Sequence, residues 1–140
     1  MGLDLGSKTI GVAVSDPLTI TAQVLTSIHR TTLEKDLEVI VGLVDQYGVE
    51  EIVVGLPINM DGSTGDSARK AEAFIEKLRE TFPIKIIPWD ERLSTVAAER
   101  ILLEGDLSRK KRRKVIDRLS AAIILQGYLD SRPRANGRLL

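Results

Sequence analysis

Gly2-Leu3-Asp4-Leu5-Gly6-Ser7-Lys8-Thr9-Ile10-Gly11-Val12-Ala13-Val14 opens the chain and reads as two short strands joined by a tight turn. Leu3 and Leu5 alternate with Gly2, Asp4 and Gly6, the period of two that an extended backbone imposes on its side chains. Ile10 to Val14 is a second apolar stretch. Ser7-Lys8-Thr9 between them suits a hairpin, with Gly6 free to take a positive φ. One face of the first strand therefore carries leucines, and the other carries a carboxylate between two glycines. A charge inside a covered sheet is costly unless it is paired or coordinates a cation.

Outward from this hairpin, hydrophobic period assigns the remaining elements. Thr21 to Ile28 is a third strand. Thr31-x-x-Glu34 is a capping-box pattern, and Leu33, Leu37, Ile40, Val41, Val44 and Tyr47 follow at helical spacing up to the stop at Gly48. Glu51-Ile52-Val53-Val54-Gly55-Leu56, bounded by Pro57, is a buried strand. The polar stretch Asn59 to Asp66 leads into a helix with Ala68, Ala71, Phe74, Ile75 and Leu78 on one face. Ile84 to Ile87 is a fifth strand ended by Pro88. A helix over Ser94 to Leu103 stops at Gly105, and a last one covers Lys111 to Leu129. The pattern predicts an α/β fold, a mixed sheet with helices on both faces. It makes residues 1–130 one domain and 131–140 a frayed, disordered basic tail.

Composition narrows the chemistry. The 140 residues contain no cysteine, which removes thiol catalysis and cysteine-ligated metals, and a single histidine, which disfavours a His-based triad. No apolar run approaches the roughly 18 residues of a membrane span and no signal peptide opens the chain, so the expected setting is cytoplasmic and away from membranes. The net charge of zero hides a segregation: residues 1–107 hold 10 Lys+Arg and 18 Asp+Glu, whereas residues 108–140 hold 10 Lys+Arg and only Asp117 and Asp130. At the centre lies Arg109-Lys110-Lys111-Arg112-Arg113-Lys114. The bland reading of that run is a solvated loop ahead of a helix; the sharper one is contact with a phosphate backbone.

Three carboxylates stand out. Asp4 interrupts the first strand. Glu91 follows Trp89-Asp90 at the carboxyl end of the fifth, where open α/β sheets collect ligands, although Asp90 and Glu91 could exchange roles. Asp117 sits in Val115-Ile116-Asp117-Arg118-Leu119-Ser120-Ala121-Ala122-Ile123-Ile124-Leu125, a helix apolar around most of its circumference. Each has an ordinary alternative: backbone bonding or pairing with a basic residue for Asp4, helix capping or helix-dipole placement for Glu91, pairing with Arg118 or Lys114 for Asp117. Taken together, crowded carboxylates repel unless a hard cation neutralises them. Mg²⁺ (or Mn²⁺) prefers such oxygen ligands, and metal-assisted phosphodiester cleavage needs no His, Cys or Ser.

The same residues carry a family resemblance. Gly2 to Asp16, Val53-Val54-Gly55-Leu56-Pro57 with Asp61-Gly62, Trp89-Asp90-Glu91-Arg92-Leu93-Ser94-Thr95, and Ser108-Arg109-Lys110-Lys111 leading to Val115-Ile116-Asp117-x-x-Ser120-Ala121-Ala122 and Gln126 resemble, in order, the motifs of the YqgF/RuvX family. These are bacterial ribonuclease-H-like proteins described as Holliday-junction-resolvase-like or as nucleases of the 16S ribosomal RNA precursor. The resemblance implies a five-stranded mixed sheet with Asp4 on its central strand, and Asp4, Glu91 and Asp117 as metal-binding acids. It makes Lys8 and Arg92 candidates for phosphate contact beside Arg109, Lys110, Lys111, Arg112 and Arg113. Only Met1 precedes the first motif, where the family usually has a few more residues, so the expectation is either a short first strand or a true start upstream.

Processing of the ribosomal RNA precursor is the favoured function. The alternatives are cleavage of branched DNA, which calls for a homodimer where RNA processing allows a monomer, and a nucleic-acid-binding assembly factor with little catalysis. Asp4-x-Gly6 with Gly11 also fits the phosphate hairpin of an actin-like or sugar-kinase ATPase, but those enclose the nucleotide between two such domains and this chain has room for one. Neutralising Lys110, Lys111, Arg112 and Arg113 together is expected to weaken nucleic-acid binding. The slope of log affinity against log salt should flatten by about 0.7 for each phosphate of a single strand that is no longer neutralised. An unchanged slope in a salt titration by fluorescence anisotropy returns the run to its bland reading.

Overall fold

Alternation of large and small residues along β1 (Gly2–Leu5), β2 (Thr9–Ser15) and β3 (Ala22–His29) builds an antiparallel meander. Two parallel strands, β4 (Glu51–Leu56) and β5 (Lys85–Asp90), extend it on the other side of β1. The sheet order is β3-β2-β1-β4-β5, so the strand bearing Asp4 is central, and the mixed five-stranded sheet is the one expected. The computed structural model describes residues 1–59, 61–93 and 109–132, with 109–118 as backbone only.

Register assigns every strand residue a side. Leu3, Ile10, Val12, Ile52, Val54 and Ile86 form one core with Ile40 and Val44 of α1 (Leu33–Tyr47) and Phe74, Ile75 and Leu78 of α2 (Asp66–Thr81). On the opposite side Ala13 and Val53 pack against Ala121, Ile124, Leu125 and Leu129 of α3 (Arg109–Ser131). The second layer is thinnest over β1 and β4, where Gly2 and Gly55 face α3, while Ile87 and Trp89 of β5 flank the helix. A Cβ added to Gly2 would lie 2.8 Å from both the Ala121 carbonyl oxygen and the Leu125 Cβ. Helix and central strand meet at backbone contact there.

Four local expectations need correction. The N-cap of α1 is Thr32, which accepts from the Lys35 amide at 3.2 Å, and not Thr31; the Thr31 amide donates instead to buried Asp36 at 3.1 Å. Gly6 does not take a positive φ: it is needed because a Cβ would come within 2.8 Å of the Thr9 carbonyl oxygen. Pro88 does not end β5, which continues through it to Asp90; β5 is an edge strand, where a missing N–H costs little. Finally, α3 starts at Arg109 rather than Lys111, so the basic run is helical backbone and not a loop. Lysine and arginine are good helix formers, and the apolar segment after them supplies the packing that nucleates the helix. The helix predicted over Ser94 to Leu103 and the tail after Arg132 lie outside the described residues.

Side chains at the far end of α3 fix its direction on the sheet. Gln126 accepts from the Ala22 amide at 2.8 Å and donates to the Ile20 carbonyl at 2.9 Å. The Tyr128 hydroxyl donates to Glu51 at 2.7 Å, and Arg132 pairs with the other carboxylate oxygen at 3.2 Å. Among the described residues no helix is long and apolar enough to cross a membrane.

Burial and the bond to Glu51 push the Tyr128 phenol from its ordinary 10.0 up to about 12. The folded state thus holds this proton more tightly than the unfolded chain. Its contribution is fully present below pH 10 and is lost as pH rises through about 12. In a Tyr47→Phe background, phenolate absorbance should titrate well above free tyrosine, and Glu51→Gln should bring the midpoint down. A midpoint at the free-tyrosine value contradicts the Tyr128–Glu51 link.

Candidate active site

β1 is paired on both sides, which fixes the backbone of Asp4 more firmly than any loop could. Asp4 sits opposite Gly11 of β2 and is half-buried on the α3 side of the sheet. Gly2 is level with Val53 and Leu3 with Val54, so the register carried one step further sets Asp4 beside Gly55 of β4. Glu91 opens a 3₁₀ turn (Glu91–Leu93) directly after β5 and reaches back over that same glycine. A Cβ on Gly55 would lie 3.0 Å from Glu91 Oε1 and 2.6 Å from Ile124 Cδ1. Glu91 therefore lies over β4, on the face that carries Asp4. Neighbouring strands are about 4.8 Å apart, so two of the three predicted acids sit on one face of adjacent strands.

The third predicted acid, Asp117, is described by its backbone alone. Tyr128 and Gln126 hold the C-terminal end of α3 at the amino ends of β1 and β4, so the N-terminal half of the helix rises toward their carboxyl ends. Asp117 is four residues before Ala121 and seven before Ile124, in the N-terminal half of the same helix. Its side chain, like those of Arg109, Lys110, Lys111, Arg112 and Arg113, lies outside the described residues. Among the described residues no three acidic or histidine side chains are grouped to hold a metal ion.

Asp90 and Glu91 have different roles. Both oxygens of Asp90 receive the Arg92 guanidinium, with Nε at 3.1 and 3.0 Å and Nη2 at 2.7 Å, and Oδ1 also accepts the Arg92 amide at 2.9 Å. Those bonds hold the Asp90 carboxyl below its usual range and the Arg92 guanidinium above its own. Arg92 Nη1 reaches the Asn59 carbonyl at 3.5 Å, tying the tip of β5 to the loop before α2. That loop is closed by Asp61, which accepts from the Ser63 amide at 2.9 Å and hydroxyl at 2.6 Å, with Gly62 at φ +88°. The hydroxyl and amide of Ser63 lower the Asp61 carboxyl as well. Lys8 is exposed on the β1–β2 turn at the same end of the sheet.

Neither Gly55 nor the Asp90–Arg92 clamp stood out along the sequence. A signal for the first existed, since a glycine inside a β-branched strand marks a close approach. The second depends on a turn geometry that spacing does not encode.

An antiparallel meander continued by two parallel strands, with an acid on the central strand and helices on both faces, defines a ribonuclease-H-like α/β protein. Comparison with known proteins agrees. Residues 1–131 match the sequence profile of RuvX, described as Holliday junction resolvase. The chain is 57% identical over 131 residues to the "Putative pre-16S rRNA nuclease" of Desulforamulus reducens, covering 94% of this chain and 96% of that protein. Proteins of the same name from Halothermothrix orenii (56%, 98% of each chain) and Moorella thermoacetica (58%, 93% of each chain) are similarly close. The chain belongs to the RuvX family.

The packing around Gly55 makes a direct test. Gly55→Ala forces Ile124 and Glu91 to shift and is expected to destabilise the protein by about 1–3 kcal/mol. Gly42→Ala, inside α1 with nothing within 4 Å of the added Cβ, should stabilise it by about 0.5–1 kcal/mol. Urea denaturation of the two variants checks both signs. A neutral Gly55→Ala contradicts the close seating of Glu91 over β4.

Proposed function

We propose that this chain is a metal-dependent endonuclease that hydrolyses nucleic-acid phosphodiesters, and that its substrate is the precursor of 16S ribosomal RNA. The observation that carries the reading is the placement of Glu91 over Gly55, on the face of the sheet that carries Asp4. The names of the related proteins point to the same chemistry and supply the RNA substrate.

The donor set fits a hard divalent cation. Asp4 and Glu91 are carboxylates on one face of the sheet, and the glycine of β4 makes room for Glu91 to lie over that strand. Asp4, Glu91 and Asp117 are the residues that would hold Mg²⁺ or Mn²⁺. When bound, the ion supplies Lewis-acid polarisation of a phosphate and a lowered pKa for a coordinated water.

The protein's own part is positioning. Two-sided pairing of β1 keeps Asp4 from moving with the substrate, and Ile124 and Glu91 share the space over Gly55. Arg92, preset by Asp90, is placed to meet a phosphate oxygen without first losing its side-chain freedom. Lys8 adds a second cation on the neighbouring turn. The basic run lies in the first turns of α3, where positive side chains oppose the helix dipole. A docked polyanion relieves that repulsion, which favours nucleic acid at this end of the sheet.

Asp4→Asn should abolish Mg²⁺- or Mn²⁺-dependent cleavage while leaving nucleic-acid affinity largely intact. The assay offers the purified protein an RNA precursor and a four-way DNA junction side by side, with and without the ion. Cleavage by the variant at the wild-type rate removes Asp4 from the site, and preference for the junction replaces the RNA assignment.

A further inference from the structure

On the opposite side of the β1–β2 turn from Asp4 lies a cleft of about 670 Å³ between the turn, the start of α1 and the outer face of α2. Its walls include Ser7, Arg30, Ser67, Lys70, Phe74 and Lys77, and no acidic residue lines it among the described residues. That is unusual in this part of the chain, since residues 1–107 carry an excess of eight acidic charges.

Arg30 is held in place before any ligand arrives. Its Nη1 donates to the Gly6 carbonyl at 2.8 Å, its Nε lies 3.7 Å from buried Asp36, and its guanidinium carbon is 6.0 Å from the centre of the Phe74 ring. Lys70 and Lys77 are exposed on α2, two turns apart and on either side of Phe74. Glu80, 3.5 Å from Lys77, is the one acid that pairs with either lysine among the described residues, and both members of that pair are largely solvated. Seven residues of helix span about 10.5 Å, far enough for the two ammonium groups to meet different phosphates of one strand.

We propose that this cleft is a second phosphate-binding track, and that it holds the single-stranded flank of the nucleic acid whose scissile phosphate sits at Asp4. The inference rests on the nuclease reading and extends it to a length of strand beyond the reacting bond. Asp4 and Ser7 are three residues apart, roughly 10 Å of extended chain, so a strand leaving the acidic face needs only to cross the β1–β2 turn to enter the cleft. Lys8, exposed on that turn, marks the crossing. Phosphates would be met by Lys70 and Lys77, with Arg30 as the fixed cation between them and the Ser7 and Ser67 hydroxyls as neutral donors.

The test measures binding in the cleavage-silent Asp4→Asn background by fluorescence anisotropy. The probes are two single-stranded RNAs, one spanning only the acidic site and one extended on both sides. Lys70→Gln with Lys77→Gln should weaken binding of the extended strand by about tenfold and lower its log–log salt slope by about 1.4, the equivalent of two neutralised phosphates on a single strand. Affinity for the short strand should change by less than about twofold. Both lysines are exposed, so the double variant should keep the wild-type thermal midpoint, checked by circular dichroism. Unchanged affinity and slope for the extended strand, in a protein whose native form cleaves the precursor, overturn the cleft alone. Failure of the native protein to bind or cleave any nucleic acid overturns the nuclease reading and the cleft with it.

Discussion

The close approach of α3 to the centre of the sheet governs the rest of this structure. At Gly2 the helix backbone and the strand are in contact, and at Gly55 the Ile124 side chain and the Glu91 carboxylate occupy the volume a Cβ would need. Small residues on this face do more than save space. They let the helix lie low against the face of the sheet that carries Asp4 and Glu91. A larger residue at either glycine would push the helix away from that face. Hydrophobic burial against the other face, through Leu3, Val54, Ile40 and Leu78, then holds the sheet rigid behind the site.

Most of the fold was legible because its periodicities are clean. β4 spans the predicted residues, and all five apolar positions assigned to the α2 face are buried. The departures share one cause: local preference yields to tertiary position. Pro88 reads as a strand terminator from sequence, yet an edge strand tolerates it. Thr31 and Thr32 both fit an N-cap, and buried Asp36, pulled toward Arg30, selects the second. A run of six like charges reads as solvated loop until the helix downstream propagates through it.

The site was legible in a different way. Asp4 stands out because a carboxylate inside a covered central strand is costly unless it is paired or coordinates a cation. Glu91 could not be separated from Asp90 by sequence, since both precede a turn. The structure separates them physically, with Asp90 clamping Arg92 and Glu91 lying over Gly55. The cleft at Arg30 was invisible along the chain, because Ser7, Arg30, Lys70 and Lys77 come from separate segments that only the packing of α2 on the meander brings together.

The central claim is that carboxylates from β1, from the end of β5 and from α3 share one divalent cation. Anomalous scattering from crystals grown with Mn²⁺ measures this directly. The account predicts a single dominant peak on the α3 side of the sheet, within coordination distance of Asp4 and Glu91 and completed by Asp117. A peak elsewhere on the protein, or ion-free crystals at Mn²⁺ concentrations that support cleavage, would contradict it.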